Sequence, residues 1–252
     1  TGVQTCALPI LPNLIEACKK LITADRRTAM QTRGKRLAEV SKRNKETALA
    51  QAANGWDSSP IHPARISAEL WAQIKNEDWS LVGNDAFFGR WPTRLWNFDK
   101  HYQFIGGSGG EGVGYGAPAA VSAALANRKH GRLTINIQND GDLNYAPGVL
   151  WTATHHNIPL LTIMNNNRGY HQEVMFVTTM AARANRDVSR AGIGTKLESP
   201  YIDYTSMAKA YGMQGIGPIT NPNDVGPAIK RAIEIVKRGE PVLVDTVTQG
   251  RG

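Results

Sequence analysis

Two short apolar runs, Leu133–Gln138 and Leu160–Met164, are each followed by a polar residue able to do chemistry, Asp140 after the first and Asn167 after the second. A carboxylate and an amide oxygen are hard donors. Mg2+ takes few such protein ligands and completes its octahedron with water and substrate phosphates. Gly141 and Gly169 let the backbone pass close to a ligand, and Gly169 can offer its carbonyl without side-chain obstruction. Together these residues suggest a diphosphate bridged to the protein by Mg2+. Asp-Gly alone is only a turn signal; the information lies in two such strand ends separated by one helical segment.

Both polar residues reach one edge only if the runs are neighbouring parallel strands. Their richness in Leu, Ile and Thr suits strands buried on both faces. Between them, Pro147 is placed as a first-turn residue, Val149, Leu150, Ala153 and Thr154 supply an inward face, and Ile158-Pro159 stops the helix. The unit reads as β-α-β, and open α/β sheets bind ligands at the carboxyl ends of their strands. Further strands are expected at Trp79–Val82, Met213–Ile216 and Pro241–Val247, and helices at Ala64–Lys75, Ala117–Asn127, Ile202–Tyr211 and Pro222–Lys237. The expected fold is α/β, a three-layer doubly wound parallel sheet with helices on both faces, preceded by a helical remnant. Gly169–Val177 should form a helix or lid over the site. Thr178–Pro200, with few apolar residues and no period, reads as a mobile loop.

A second stretch bears on function. Residues 105–118 hold seven glycines in fourteen, IGGSGGEGVGYGAP. In a helix or strand interior each would cost roughly 1 kcal/mol, so the segment is a loop shaped for close approach. It contains a formal G-x-G-x-x-G at Gly107, Gly109 and Gly112, which admits an alternative reading as the nicotinamide-dinucleotide-binding Rossmann domain of an oxidoreductase. Against it, the strand before the loop is poor, and the acid after the next strand is Asp140.

The spacing from Asp140-Gly141 to Asn166-Asn167 resembles the thiamine diphosphate motif, Gly-Asp-Gly followed one strand later by Asn-Asn. The surrounding LWTATHHNIPLLTIMNNN is similar to the benzoylformate decarboxylases and acetolactate synthases, and the glycine-rich stretch Ile105–Pro118 is similar to that superfamily's Gly-x-Gly-hydrophobe-Gly-aromatic-Gly-x-Pro-Ala-Ala loop. The resemblance implies that Asp140, the Asn167 side chain and the Gly169 carbonyl ligate Mg2+. It places Gly141, Asp142 and Leu143 beside the diphosphate of thiamine diphosphate. Val113 becomes the hydrophobe under the bent cofactor, and a carbonyl at Gly110 or Glu111 faces the aminopyrimidine. Gly83–Asp85 begins a loop that reaches toward the diphosphate. Two positions depart from the pattern: Asn139 stands at the motif's first glycine, which a side chain tolerates when φ is negative, and Glu111 stands where relatives tend to have glycine.

The resemblance further implies a 2-oxo acid substrate, in a decarboxylase or an acetolactate synthase-like carboligase. The activating glutamate would come from the pyrimidine-binding domain of a second subunit, in a homodimer or homotetramer, so this chain alone would be incompetent. Glu173, six residues after Asn167, takes the place of an acid that handles protons at the intermediate.

The rest of the chain is consistent with such a partial enzyme. Residues 1–10, TGVQTCALPI, are the frame translation of a common sequencing-library adapter and are read as non-native. Leu14, Ile15, Cys18, Leu21 and Ile22 lie at helical spacing in a helix-like stretch from Leu11 to Lys45. Residues 11–60 then resemble the tail of a middle domain and its linker, and the turn-rich Gly55–Pro63 marks the boundary of a cofactor-binding domain over 61–252. The net charge of +8 is concentrated: residues 11–50 hold ten Lys and Arg against four Asp and Glu, a solvated helical face more than a nucleic-acid site. Cys18 is the sole cysteine past residue 10, so no disulfide is expected and a cytoplasmic location is the default. No apolar run approaches the roughly 18 residues a membrane span needs. His155 and His156 lack a further ligand at metal spacing and read as structural.

Overall fold

The computed structural model describes residues 2–83, 88–107 and 112–250. The chain forms two compact units, Thr1–Thr47 and Ala48–Gly252. In the first, α1 (Gly2–Lys20) and most of α2 (Ala24–Ala52) replace the single helix-like stretch expected from Leu11, with a break at residues 21–23. Their apolar residues Leu14, Ile15 and Leu37 are exposed. Among the described residues no helix is long and apolar enough to cross a membrane.

The second unit is a six-stranded sheet in the order β2-β1-β3-β4-β6-β5, every pairing parallel. Its strands are β1 (Trp79–Gly83), β2 (Phe104–Gly106), β3 (Leu133–Asn139), β4 (Leu161–Asn166), β5 (Gln214–Ile219) and β6 (Val242–Val247). The period-two alternation of strand side chains divides the core in two. Ile135 and Ile137 of β3, Leu161 and Ile163 of β4 and Val242 and Val244 of β6 pack with α3 (Pro63–Ile74), α4 (Trp91–Leu95) and α10 (Val225–Lys237). Met164 and Leu243 face the other way, against α5 (Gly116–Arg128), α6 (Asp140–Leu143), α7 (Val149–His155) and α9 (Tyr204–Ala210). The expected three layers are present. Because the chain leaves β1 for the β2 edge and then returns to place β3 on the other side, the order reverses between β1 and β3, where such sheets open a crevice.

Three features differ from the sequence reading. The edge strand β2 has only three residues, with Phe104 and Ile105 exposed, too short for periodicity to detect. The compact unit begins earlier than the turn-rich boundary: Ala48 and Ala52 are buried, and Ile61 pairs with Thr248, its N–H donating to Val247 O and its carbonyl accepting from Gln249 N–H. The expected loop from Thr178 is ordered in part, since α8 (His171–Arg183) extends through it and Thr195–Leu197 folds back on Arg168–Tyr170. Residues 88–96 carry core side chains. Phe88, Trp91, Leu95 and Trp96 are buried, and Trp96 stacks on Trp71 at 6.0 Å while donating from Nε1 to Ser67 O.

Candidate functional site at the carboxyl ends of β3 and β4

Register brings the two strand ends level: Asn139 of β3 lies opposite Asn165 of β4, and Asn166 opposite Val247 of β6. Asp140 opens α6 directly from β3 and is buried, 1% exposed. Its Oδ1 accepts from Gly141 N–H at 2.8 Å and its Oδ2 from Gly169 N–H at 3.2 Å, so one carboxylate ties the two strand-end loops together. Among the described residues no Lys or Arg forms an ion pair with it. Burial pushes its pKa up to about 6, opposed by the backbone N–H groups and by the charge of His171.

Asn167 Oδ1 is buried with no hydrogen-bond partner, while the Asn167 carbonyl accepts from His171 Nε2 at 3.0 Å. A buried polar atom without a partner costs about 1–3 kcal/mol; Ser67 Oγ, Asp78 Oδ1, Ser80 Oγ and Asn136 Oδ1 share that condition, and Asn167 Oδ1 differs from them in standing at the strand end beside Asp140. Gly169 lies opposite Lys196 in an isolated antiparallel bridge. The bonds of that bridge come from its neighbours, Tyr170 N–H to Thr195 O and Leu197 N–H to Arg168 O, which leaves the Gly169 carbonyl unspent in it. A Cβ on Gly169 would stand 2.9 Å from Thr195 O, and one on Gly141 would meet the Tyr170 ring at 2.4 Å, so close approach requires glycine at both. Tyr170 closes over this turn, its hydroxyl donating to Gly141 O at 3.2 Å, and burial together with the neighbouring Tyr145 raises its pKa.

The donor set fits a hard divalent cation: one buried carboxylate, one unpartnered amide oxygen and an available carbonyl. Among the described residues no group of three His, Cys, Asp or Glu could hold a metal by itself. That suits Mg2+, which draws its other ligands from water and phosphate, and does not suit a structural zinc site.

The other expected residues fall variously. Val113 is 52% exposed, an apolar side chain standing free beside the glycine loop. Gly110 and Glu111 lie outside the described residues, as do Asn84 and Asp85. Leu143 has its side chain buried in the core against α5 and α7, because the first turn of α6 must anchor to the sheet, so a contact with a ligand falls to its backbone. Asp142 spends both carboxylate oxygens within the protein, Oδ1 on Gly114 N–H at 2.5 Å and Oδ2 on Gln138 Nε2 at 2.6 Å. Glu173 is exposed in the first turn of α8 and contributes to the charge felt by Tyr170. Asn139 has φ −86°, the negative value its side chain needs.

That side chain belongs to a network that sequence reasoning missed. Asn165 Nδ2 donates to Asn139 Oδ1 at 3.1 Å, and Thr248 Oγ1 donates to Asn165 Oδ1 at 2.7 Å. Asn166 Nδ2 donates to Asp245 at 3.0 and 3.3 Å, and burial pushes the Asp245 pKa up to about 6. The available signal was an acid in the middle of the apolar run Val242–Val247 and a triple asparagine where two would suffice.

Residues 87–246 match the family described as "Thiamine pyrophosphate enzyme, C-terminal TPP binding domain". The chain is 31% identical over 138 residues to benzoylformate decarboxylase of Pseudomonas aeruginosa, covering 55% of this chain and 23% of that protein. It is 25% identical over 196 residues to acetolactate synthase isozyme 3 large subunit of Escherichia coli, covering 77% and 32%. The solved structure of a thiamine diphosphate-dependent 4-hydroxybenzoylformate decarboxylase from Rhodococcus jostii superposes with a TM-score of 0.65 over 77% of this chain and 34% of that one, at 24% identity, a likeness of fold. The chain thus spans about a quarter to a third of the length of these relatives. The dinucleotide reading finds no support: the glycine run follows the exposed edge strand β2, not a central strand.

Proposed function

The chain belongs to the thiamine pyrophosphate enzymes through their C-terminal TPP-binding domain, and from that premise we propose that residues 61–252 hold thiamine diphosphate through Mg2+ in a 2-oxo acid decarboxylase or acetolactate synthase-like carboligase. The observation that carries the reading is the conjunction of Asp140, a buried carboxylate met only by backbone N–H groups, with the unpartnered Asn167 Oδ1 two residues from the Gly169 that bonds it. A buried anion without a counter-ion is held at a cost, and a bound cation offsets that cost. In this reading Asp140, Asn167 Oδ1 and the Gly169 carbonyl hold the metal. Gly141 keeps the turn open to the diphosphate, and Val113 supports the ring system. Bound thiamine diphosphate supplies the carbon nucleophile for attack on a 2-oxo carbonyl.

Glu173 at the start of α8 is proposed to move protons at the substrate carbon. It stands in solvent in this chain, and the reading places against it a pyrimidine-binding domain of a second subunit, which also brings the activating glutamate. The chain by itself is therefore expected to bind cofactor without turnover. The test is calorimetric titration of thiamine diphosphate into the chain with and without Mg2+. Binding is expected to require the metal and to disappear in Asp140→Ala. Binding of equal strength without metal, or retained in the variant, overturns the proposal.

A further inference from the structure

The carboxylate of Asp142 lies one residue past the Asp-Gly turn, where a negative charge beside a diphosphate would be unfavourable. The structure gives it a different task. Its Oδ1 takes the N–H of Gly114, twenty-eight residues earlier in the chain, at 2.5 Å. Its Oδ2 takes Gln138 Nε2 at 2.6 Å, and Gln138 Oε1 in turn accepts from Asn136 Nδ2 at 3.2 Å within β3. The carboxylate is thus braced from the sheet side and grips the glycine loop on the other.

The loop is shaped for that grip. Gly114 has φ +90°, which disfavours any side chain, and a Cβ there would come within 2.8 Å of Tyr145 Cβ. A Cβ on Gly116 would come within 2.8 Å of Asp142 Oδ2 and 2.9 Å of Gln138 Oε1. Two glycines therefore seat the segment directly on the 138–145 turn, and Val113 is the residue immediately before the Gly114 whose N–H is held.

We infer that Asp142 is a positioning residue, a clip that holds Gly114, and through it the adjoining Val113, against the turn that begins at Asp140. It acts on the part of the site that meets the cofactor's rings and not on the part that meets its phosphates. The inference rests on the proposed cofactor reading.

The two parts separate by ligand. With Mg2+ present, thiamine diphosphate engages both, whereas inorganic pyrophosphate engages only the metal and phosphate side. In the 252-residue chain, Asp142→Ala is expected to weaken thiamine diphosphate about tenfold, the effect of one charge-assisted hydrogen bond, while pyrophosphate binds as before or more tightly. Asp142→Asn, which keeps an acceptor oxygen for Gly114 N–H, is expected to recover most of the loss. Gly114→Ala, which attacks the clip from the loop side, is expected to repeat the pattern of Asp142→Ala. Equal weakening of both ligands by Asp142→Ala in a chain whose thermal unfolding is unchanged overturns the clip, as does tighter binding of thiamine diphosphate. Failure of the wild-type chain to bind either ligand defeats the cofactor reading instead. Should Asp142→Ala not fold, the comparison of Asp142→Asn with Gly114→Ala decides alone, and parallel losses of the two ligands in Gly114→Ala overturn it.

Discussion

Two buried charges in this molecule are treated in opposite ways. Arg65, on α3 and 7% exposed, is surrounded by partners. Its Nε donates to Glu69 at 3.0 Å and its Nη1 to Trp56 O at 3.2 Å and Asp57 at 3.3 Å, while the guanidinium lies 4.3 Å from the Trp56 ring centroid. Asp140, on the other side of the sheet and buried more deeply, is met by backbone N–H groups and by the charge of His171, with no Lys or Arg ion pair among the described residues. Burying an ion is tolerable where opposite charge and hydrogen bonds surround it and costly where they do not. The fold surrounds Arg65 with opposite charge and gives Asp140 no Lys or Arg partner among the described residues, a difference that the proposed cation site would account for.

The largest effect expected from this contrast lies on the Arg65 side. Arg65→Ala strands Glu69 and opens a hole beside Trp56, and urea unfolding should show a loss of about 3 kcal/mol, the same with and without cofactor and Mg2+. A loss that cofactor restores would break the contrast. At Asp140 the expected effect is on the response to ligand. Asp140→Asn removes the buried charge and also one of its two backbone hydrogen bonds, so the thermal midpoint of the cofactor-free chain should move by the equivalent of less than about 1 kcal/mol, and thiamine diphosphate with Mg2+ should no longer raise it. A rise with cofactor equal to that of the unchanged chain would break the contrast.

A finer version compares two other carboxylates by pH. Burial raises Asp245 to about 6, so its contribution is present below its unfolded value of 3.8 and is lost as pH rises through about 6. Bonds from Ser206 and Thr205 lower Asp203, the N-cap of α9, to about 2, so its contribution is present above 3.8 and is lost as pH falls through about 2. Asp245→Asn should flatten the decline in stability between those limits as pH rises. Asp203→Ala should cost about 1 kcal/mol at neutral pH and nothing near pH 2. Denaturant midpoints across the range read both, and matching slopes in the two variants would deny the difference.

Much of the site was legible because one rule covers it: polar residues at the ends of adjacent buried parallel strands meet at one edge. Asp140 and Asn167 followed from the apolar runs before them. The glycine loop was legible as a loop, but its attachment was not, since the Gly114 to Asp142 bond joins residues whose proximity depends on how β1, β2 and β3 are ordered. The burial of Arg65 was not legible either, since its partners Trp56, Asp57 and Asn223 come together with it only in the tertiary arrangement. Residues 178–183 lack an inward stripe because α8 buries no residue, so a helix there leaves no periodic trace. The burial of the Leu143 side chain was not legible, because position relative to a motif says nothing of which way a side chain turns.

The pairing of Ile61 with Thr248 bears on connectivity. Ile61 is hydrogen-bonded to both Val247 and Gln249, so the chain enters and leaves the sheet side by side, at the carboxyl end of a strand beside the one that carries Asn166 and Asn167. A few residues would join the two points, and the strand order between them would not change. Ile61 thus acts as a clasp between the segment that leads into the sheet and the segment that follows its last strand.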